Sequence, residues 1–328
     1  MEQDDPKLAR SINKDLRNLI PQQVRNAKND LNTREKFYFL NKRCLLFDAK
    51  VDFDAYMQYI EYDRDPKKRF YLPRRKQIFP IVQALQDLED DALDLLTIST
   101  PPGVGKTTLG IFFLTWVMGK YPGSCNLASA HSGMLTNSFY DGVLSIITDP
   151  EYLWADVFPG IRIVGTNSKE GTIDLEKRKR FKTLTCRSID GSLTGATRCE
   201  KYLYADDLVS GIEEAMSKDR LDKLWEKYTN DLKSRKKLDC KEIHIATRWS
   251  VHDVIGRLER QYEGDPRARF LSFPALDEND ESNFDYMYGV GFNTKYFWDM
   301  RDSLDDVSWR CLFMNEPIER EGLLYHED

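Results

Sequence analysis

The sequence predicts an α/β fold, with a mostly parallel central sheet flanked by helices and a helical region before it. Three observations carry this. Short apolar runs alternate with helical runs from about residue 94 onward, which is the pattern of strands joined by crossover helices. The first apolar run leads through a Pro-Gly loop into an amphipathic helix. Residues 1–70 carry helical patterning without strand-like runs. The chain has 328 residues, 41% of them hydrophobic, enough for two domains or for one large α/β domain with an appendage. We divide it into a helical N-terminal region at 1–70, a core at 71–276 and a closing segment at 277–328.

Element by element, Arg34 to Phe47 reads as a helix, with apolar positions at Phe37, Leu40, Leu45 and Leu46. The basic, proline-broken stretch Lys67–Lys76 reads as a loop feeding a helix from Gln77 to Leu88. Strands are expected at Asp94–Ser99, Asn126–Ala130, Ile161–Val164, Phe181–Arg187, Lys201–Ala205, Glu242–Thr247 and Arg269–Phe273. Helices are expected at Thr107–Met118 and at about 132–147, 212–236 and 251–262. The stretch after Asp277 is aromatic-rich and reads as irregular.

Composition narrows the function. The 31% of charged residues and 12% of aromatics exclude a mainly disordered chain, and the net charge of −6 means that any nucleic-acid contact is local. The six cysteines have no zinc-ribbon spacing and read as reduced thiols. The acidic N-terminus is no secretory signal and no run of about 18 apolar residues occurs, so we expect a cytoplasmic protein with no membrane partner. His131, His244, His252 and His326 lack metal-ligand spacing, and His244 reads as a packed strand residue.

The strongest motif is Thr100-Pro101-Pro102-Gly103-Val104-Gly105-Lys106-Thr107-Thr108, between an apolar strand and a helix. That is the context of a Walker A phosphate loop. The loop from Pro102 through Thr108 can wrap the phosphates of ATP, through the backbone N–H groups from Gly103 onward and the helix N-terminus. Lys106 supplies a charge to them, and the Thr107 hydroxyl is placed to reach Mg²⁺. The motif departs from the usual pattern in one place, having Thr100 where the first glycine would stand.

Tyr202-Leu203-Tyr204-Ala205-Asp206-Asp207 is an apolar run ending in two carboxylates. As a Walker B strand it delivers Asp206 to Mg²⁺, with Asp207 orienting and deprotonating the attacking water. Many such ATPases have Glu in that second position. Ile243–Ser250 ends a third strand in polar groups: Thr247 is positioned as a sensor of the γ-phosphate, with Trp249 as core and Arg248 as a surface charge in the bland reading. Together these stations specify a P-loop NTPase core of the RecA-like, ASCE kind.

In order and spacing, these stretches resemble the ATPase domain of the large terminase subunit of tailed bacteriophages, over most of residues 70–328. Thr247-Arg248-Trp249 with Asp253, Gly256 and Arg257 is similar to that family's coupling motif, and Phe273-Pro274-Ala275-Leu276 follows it. Gly191–Thr197 is similar to its Gly-rich segment. Ser129–Ser132, Asp149–Tyr152 and Phe158-Pro159 fit its pattern after the first helix, and Pro73, Arg75 and Gln77 resemble its adenine-side motif. The resemblance implies an ATP-driven motor that moves double-stranded DNA into a procapsid through the portal protein. It implies work beside a small terminase subunit, as a homo-oligomeric ring of five, in the host cell cytoplasm. Family members also carry a C-terminal nuclease domain; the sequence ends where that would begin, so no nuclease activity is expected of this chain.

Such rings use an arginine finger. Pro102 occupies the loop position where some relatives have arginine, so Arg198, just before the acidic strand, is our candidate in trans, with Arg248 and Arg187 as rivals. The expected solution state is a monomer when dilute. For DNA contacts the basic runs Lys67–Lys76, Lys177–Arg180 and Lys233–Lys237 stand out. Two rival functions remain at this level: a helicase-like DNA-dependent ATPase, which needs a second RecA-like lobe, and an ATP-binding assembly switch without sustained turnover.

Overall fold

A computed structural model describes residues 31–176, 178–191 and 197–317. His326 and most of Gly191–Thr197, namely residues 192–196, lie outside the described residues, as do Lys177 and the first thirty positions.

Eight strands form one sheet. In chain order they are β1 (Leu95–Ser99), β2 (Asn126–Ala130), β3 (Ile163–Asn167), β4 (Thr172–Leu175), β5 (Leu184–Ser188), β6 (Tyr202–Asp206), β7 (Lys241–Ala246) and β8 (Ala268–Ser272). Their spatial order is β3-β4-β5-β2-β6-β7-β1-β8. The six strands from β5 to β8 are parallel, and β3 and β4 add an antiparallel edge. Strand β4 is absent from the sequence reading, because Thr172–Leu175 is too short to show a period. The consequence for function is topological. β7 lies between β1 and β6, so the C-terminal ends of three strands that are far apart in sequence stand side by side.

Helix α1 (Leu31–Asp48), α2 (Phe53–Tyr59) and α3 (Tyr71–Glu89) precede the sheet. α3 begins six residues earlier than expected, and the second half of the basic stretch is helix, not loop. Pro73 is tolerated there because it sits in the first turn, where N–H groups lack intrahelical partners. The buried carboxylate of Glu61 takes over, accepting from the backbone N–H of Phe70 at 2.8 and 2.9 Å and of Tyr71 at 3.1 Å.

Helix α4 (Lys106–Lys120) is the hub of the core, buried all round from Leu109 to Gly119. A side chain at Gly110 would meet the Tyr204 hydroxyl at 2.1 Å and its ring at 2.4 Å, so glycine lets α4 lie directly on β6. Its far side holds the N-terminal helices. Phe113 and Trp116 pack on Phe53, and Trp116 Nε1 donates to Ala49 O at 2.8 Å. One apolar cluster runs from Leu45 through α4 to Phe313, so residues of all three sequence-defined segments share it.

Helix α5 (Gly133–Thr148) starts at an N-cap, Ser132, and α6 (Trp154–Val157) is a single turn. The helix expected over 212–236 is interrupted. α7 (Ile212–Ala215) stops, Ser217 caps α8 (Lys218–Lys227), and the chain widens into a π turn at Tyr228–Leu232. α9 (Val254–Gln261) is capped by Asp253. The closing segment is less irregular than expected: α10 (Thr294–Ser303) and α11 (Asp306–Leu312) are capped by Asn293 and Asp305. No helix among the described residues is long and apolar enough to cross a membrane.

Candidate functional site

The buried strand β1 ends at Ser99 and the chain turns through Thr100–Gly105 into α4. The turn needs left-handed backbone at Gly103 (φ 78°) and Gly105 (φ 102°), a conformation that costs glycine little. This puts Lys106 at the first helical position, with its side chain only 8% exposed. Its Nζ donates to Thr247 Oγ1 at 2.7 Å and to Asp207 Oδ1 at 3.1 Å, and lies 3.0 Å from Asp207 Oδ2. Three residues from three strand ends therefore meet at one ammonium group.

Asp207 is held from both sides. It takes left-handed backbone unusual for a residue with a side chain (φ 42°). Its N–H donates to Ile245 O at 2.8 Å, and its carbonyl accepts from His131 N at 3.3 Å and faces His131 Nδ1 at 2.7 Å. Since a carbonyl only accepts, His131 carries its proton on Nδ1. The Asp207 carboxylate also accepts from the backbone N–H of Thr247 at 2.9 Å. His131 is a site residue that the sequence reading missed; its position just after β2, whose end joins this row, is the signal that pointed to it.

Asp206, one residue back, is buried. Oδ2 accepts weakly from Tyr204 at 3.3 Å, while Oδ1 has no hydrogen-bond partner. Burial, and after it the charge of Asp207, pushes its carboxyl up to about 6, against the opposing influence of the nearby Thr107 hydroxyl and the charge of Lys106. An orphaned, buried carboxylate oxygen next to a threonine hydroxyl suits a small hard cation that keeps its other positions for water and phosphate oxygens. Among the described residues no group of three or more His, Cys, Asp or Glu side chains forms a protein-only metal site.

Around these groups lies an open cleft of about 470 Å³. Pro102, Gly103, Gly105, Lys106, Thr107 and Thr108 form its floor, and His131, Asp207, Thr247 and Trp249 are on its walls. Leu312 of α11 closes one side. The closing segment reaches the loop itself: Tyr286 OH donates to Val104 O at 3.1 Å, and a side chain at Gly103 would meet the Phe292 ring at 3.0 Å.

Several expected site residues stand elsewhere. Arg75 does not enter the cleft; its guanidinium makes a two-pronged pair with Asp54 at 2.8 and 2.9 Å. Gln77 donates to Asp285 O at 3.0 Å, tying α3 to the closing segment. Arg198 is exposed before the start of β6, at the sheet edge opposite the cleft, with its guanidinium 3.5 Å from Ser234 O. Arg187 pairs with Glu170. Arg248 and Trp249 exchange their expected roles. Arg248 is buried between Asp253 at 3.3 Å and Glu259 at 2.7 Å, whereas Trp249 lines the cleft. No arginine lines the cleft among the described residues.

No family model matches this chain, and no curated protein matches it in sequence. Solved structures do match. The large terminase of bacteriophage HK97 superposes with a TM-score of 0.50 at 12% identity, over 73% of this chain and 49% of that one. This chain shares its fold. The ATPase domain of the Thermus phage P74-26 large terminase superposes with a TM-score of 0.43 at 12% identity, over 71% of this chain and 93% of that one. The chain spans about half the length of the HK97 protein.

Proposed function

We propose that this chain binds and hydrolyses ATP with Mg²⁺ and is the motor domain of a large terminase subunit, driving double-stranded viral DNA through a portal into a procapsid. The observation that carries the hydrolysis is the convergence of Lys106, Asp207 and Thr247 beside the orphaned oxygen of Asp206. In this reading the loop from Pro102 to Thr108 receives the phosphates, and Lys106 leaves Asp207 to neutralise them. Thr107 and Asp206 hold Mg²⁺, which supplies charge stabilisation on the phosphate oxygens. Asp207, freed from Lys106, orients the attacking water and takes its proton, and Thr247 reports the state of the γ-phosphate to β7.

The DNA-packaging assignment is supported by the shared fold and by the motif order described above. The portal, the small subunit and a homo-oligomeric ring belong to that assignment. Among the described residues the cleft has no arginine of its own, which suits a charge supplied by a neighbouring subunit.

Lys106→Ala is the first test. Steady-state ATP hydrolysis is expected to fall by about 10²–10³-fold, as when one transition-state donor is lost, with the fold retained. A purified, folded variant that hydrolyses ATP at the wild-type rate would place the site elsewhere.

A further inference from the structure

The fold decides which basic runs survive as local charge. In Lys67–Lys76 the three arginines are absorbed, leaving Lys67, Lys68 and Lys76 exposed along the stretch: Arg69 donates to the carbonyls of Arg64 and Tyr62, Arg74 packs on Phe70 and Tyr286, and Arg75 pairs with Asp54. The other two runs converge. Lys179 and Arg180 lie between β4 and β5, Arg198 precedes β6, and Lys237 precedes β7. Together they line one open cleft of about 510 Å³, with Phe181 and Glu200 in its wall.

The cations around this cleft are neutralised, whereas three of the four inside it make no ion pair among the described residues. Arg178 and Lys182 pair with Asp174, Lys201 with Glu89 and Lys236 with Glu242. Within the cleft Glu200 pairs with Lys237, and among the described residues Lys179, Arg180 and Arg198 make no ion pair. A chain of net charge −6 thus gathers a local positive excess at one place. The place is specific: the cleft sits at the N-terminal ends of β6 and β7, whose C-terminal ends carry Asp206 and Thr247. A five-residue strand separates the two clefts by about 17 Å.

We propose that this cleft grips the phosphodiester backbone of double-stranded DNA without regard to sequence. The guanidinium forks of Arg180 and Arg198 and the long stem of Lys179 suit phosphate oxygens. Among the described residues no Asn or Gln side chain, the groups that read adenine edges, lines the cleft. The choice of a duplex over an acidic polypeptide rests on the packaging-motor reading. The local excess of cations does not.

The test is fluorescence anisotropy of a labelled duplex of about 30 base pairs, without nucleotide, from roughly 50 to 200 mM salt. For the double variant Lys179→Glu, Arg180→Glu the affinity is expected to fall at least about tenfold, and the slope of log affinity on log salt to flatten by about 2, near one per lost phosphate contact. The double variant Arg162→Glu, Lys169→Glu, at two exposed cations outside the cleft, makes the same change in net charge and is expected to change little. A Lys179→Glu, Arg180→Glu variant matching the wild type in affinity and slope would overturn the proposal. So would one that keeps duplex binding and loses binding of polyglutamate, which would make the cleft a protein site. The hydrolysis reading fails separately, through Lys106→Ala, because the anisotropy is read without ATP.

Discussion

Asp206 and Glu242 are both buried carboxylates on adjacent strands, at opposite ends of the sheet, and they are treated in opposite ways. Glu242, near the start of β7, accepts from Tyr228 OH, from Lys236 Nζ at 2.5 Å, and lies 3.1 Å from His244 Nε2. Burial alone would raise its carboxyl, yet the hydrogen bonds and charges of His244 and Lys236 hold it well below the usual carboxylate range. Asp206, at the end of β6, keeps one oxygen orphaned and is pushed up to about 6. A carboxylate that serves the fold is fully partnered. One left desolvated and repelled by its neighbour carries an uncompensated cost, which marks it as a candidate functional group.

The comparison is broken most forcefully by neutralising each carboxylate in turn. Asp206→Asn is expected to lower Mg²⁺-dependent turnover by about 10²–10³-fold while leaving denaturant stability unchanged or higher, since it removes an unpaired buried charge. Glu242→Gln is expected to do the reverse. It strands Lys236, costs about 3–5 kcal/mol by denaturant melting, and leaves turnover per folded molecule intact. If Asp206→Asn melts early while Glu242→Gln does not, the roles are exchanged.

Acid sharpens the contrast. Asp206 binds a proton more readily folded than unfolded, so in metal-free protein its contribution to stability grows as pH falls through about 6 and is complete below the ordinary aspartate value. Glu242 has the opposite sign: its contribution is present above the ordinary glutamate value and is lost on further acidification. Denaturant midpoints of Asp206→Asn and wild type are expected to converge as pH drops from 7 toward about 4; parallel curves would show that Asp206 is not strained. The smallest effect is in the closing segment. Tyr286→Phe removes one hydrogen bond to Val104 O, and a loss of about 1 kcal/mol in stability with a modest rise in KM for ATP is expected.

Much of the C-terminal edge was legible in the sequence because each station is contiguous: the loop around Lys106, the Asp206-Asp207 pair and Thr247 each follow an apolar strand. What brings them together is the placement of β7 between β1 and β6, which is a property of chain topology and leaves no local pattern. The closing segment was read as irregular, since its contacts with the phosphate loop are long-range: Tyr286 meets Val104 across 182 positions. The adenine-side expectation for Arg75 and Gln77 met local competition from Asp54 and the Asp285 carbonyl. Charge runs alone did not reveal the basic cleft, because its cations come from separate segments and only the fold shows which of them stay unpaired.

The central claim is that Asp207, released from Lys106 by nucleotide, carries the proton-transfer step. It is tested most directly by single-turnover ATP hydrolysis alongside equilibrium ATP binding in Asp207→Asn. The account predicts near wild-type nucleotide affinity with hydrolysis reduced by about 10²-fold or more, the signature of an interaction made in the transition state only. Hydrolysis at the wild-type rate in a variant that binds ATP normally would contradict it and move the base to another residue.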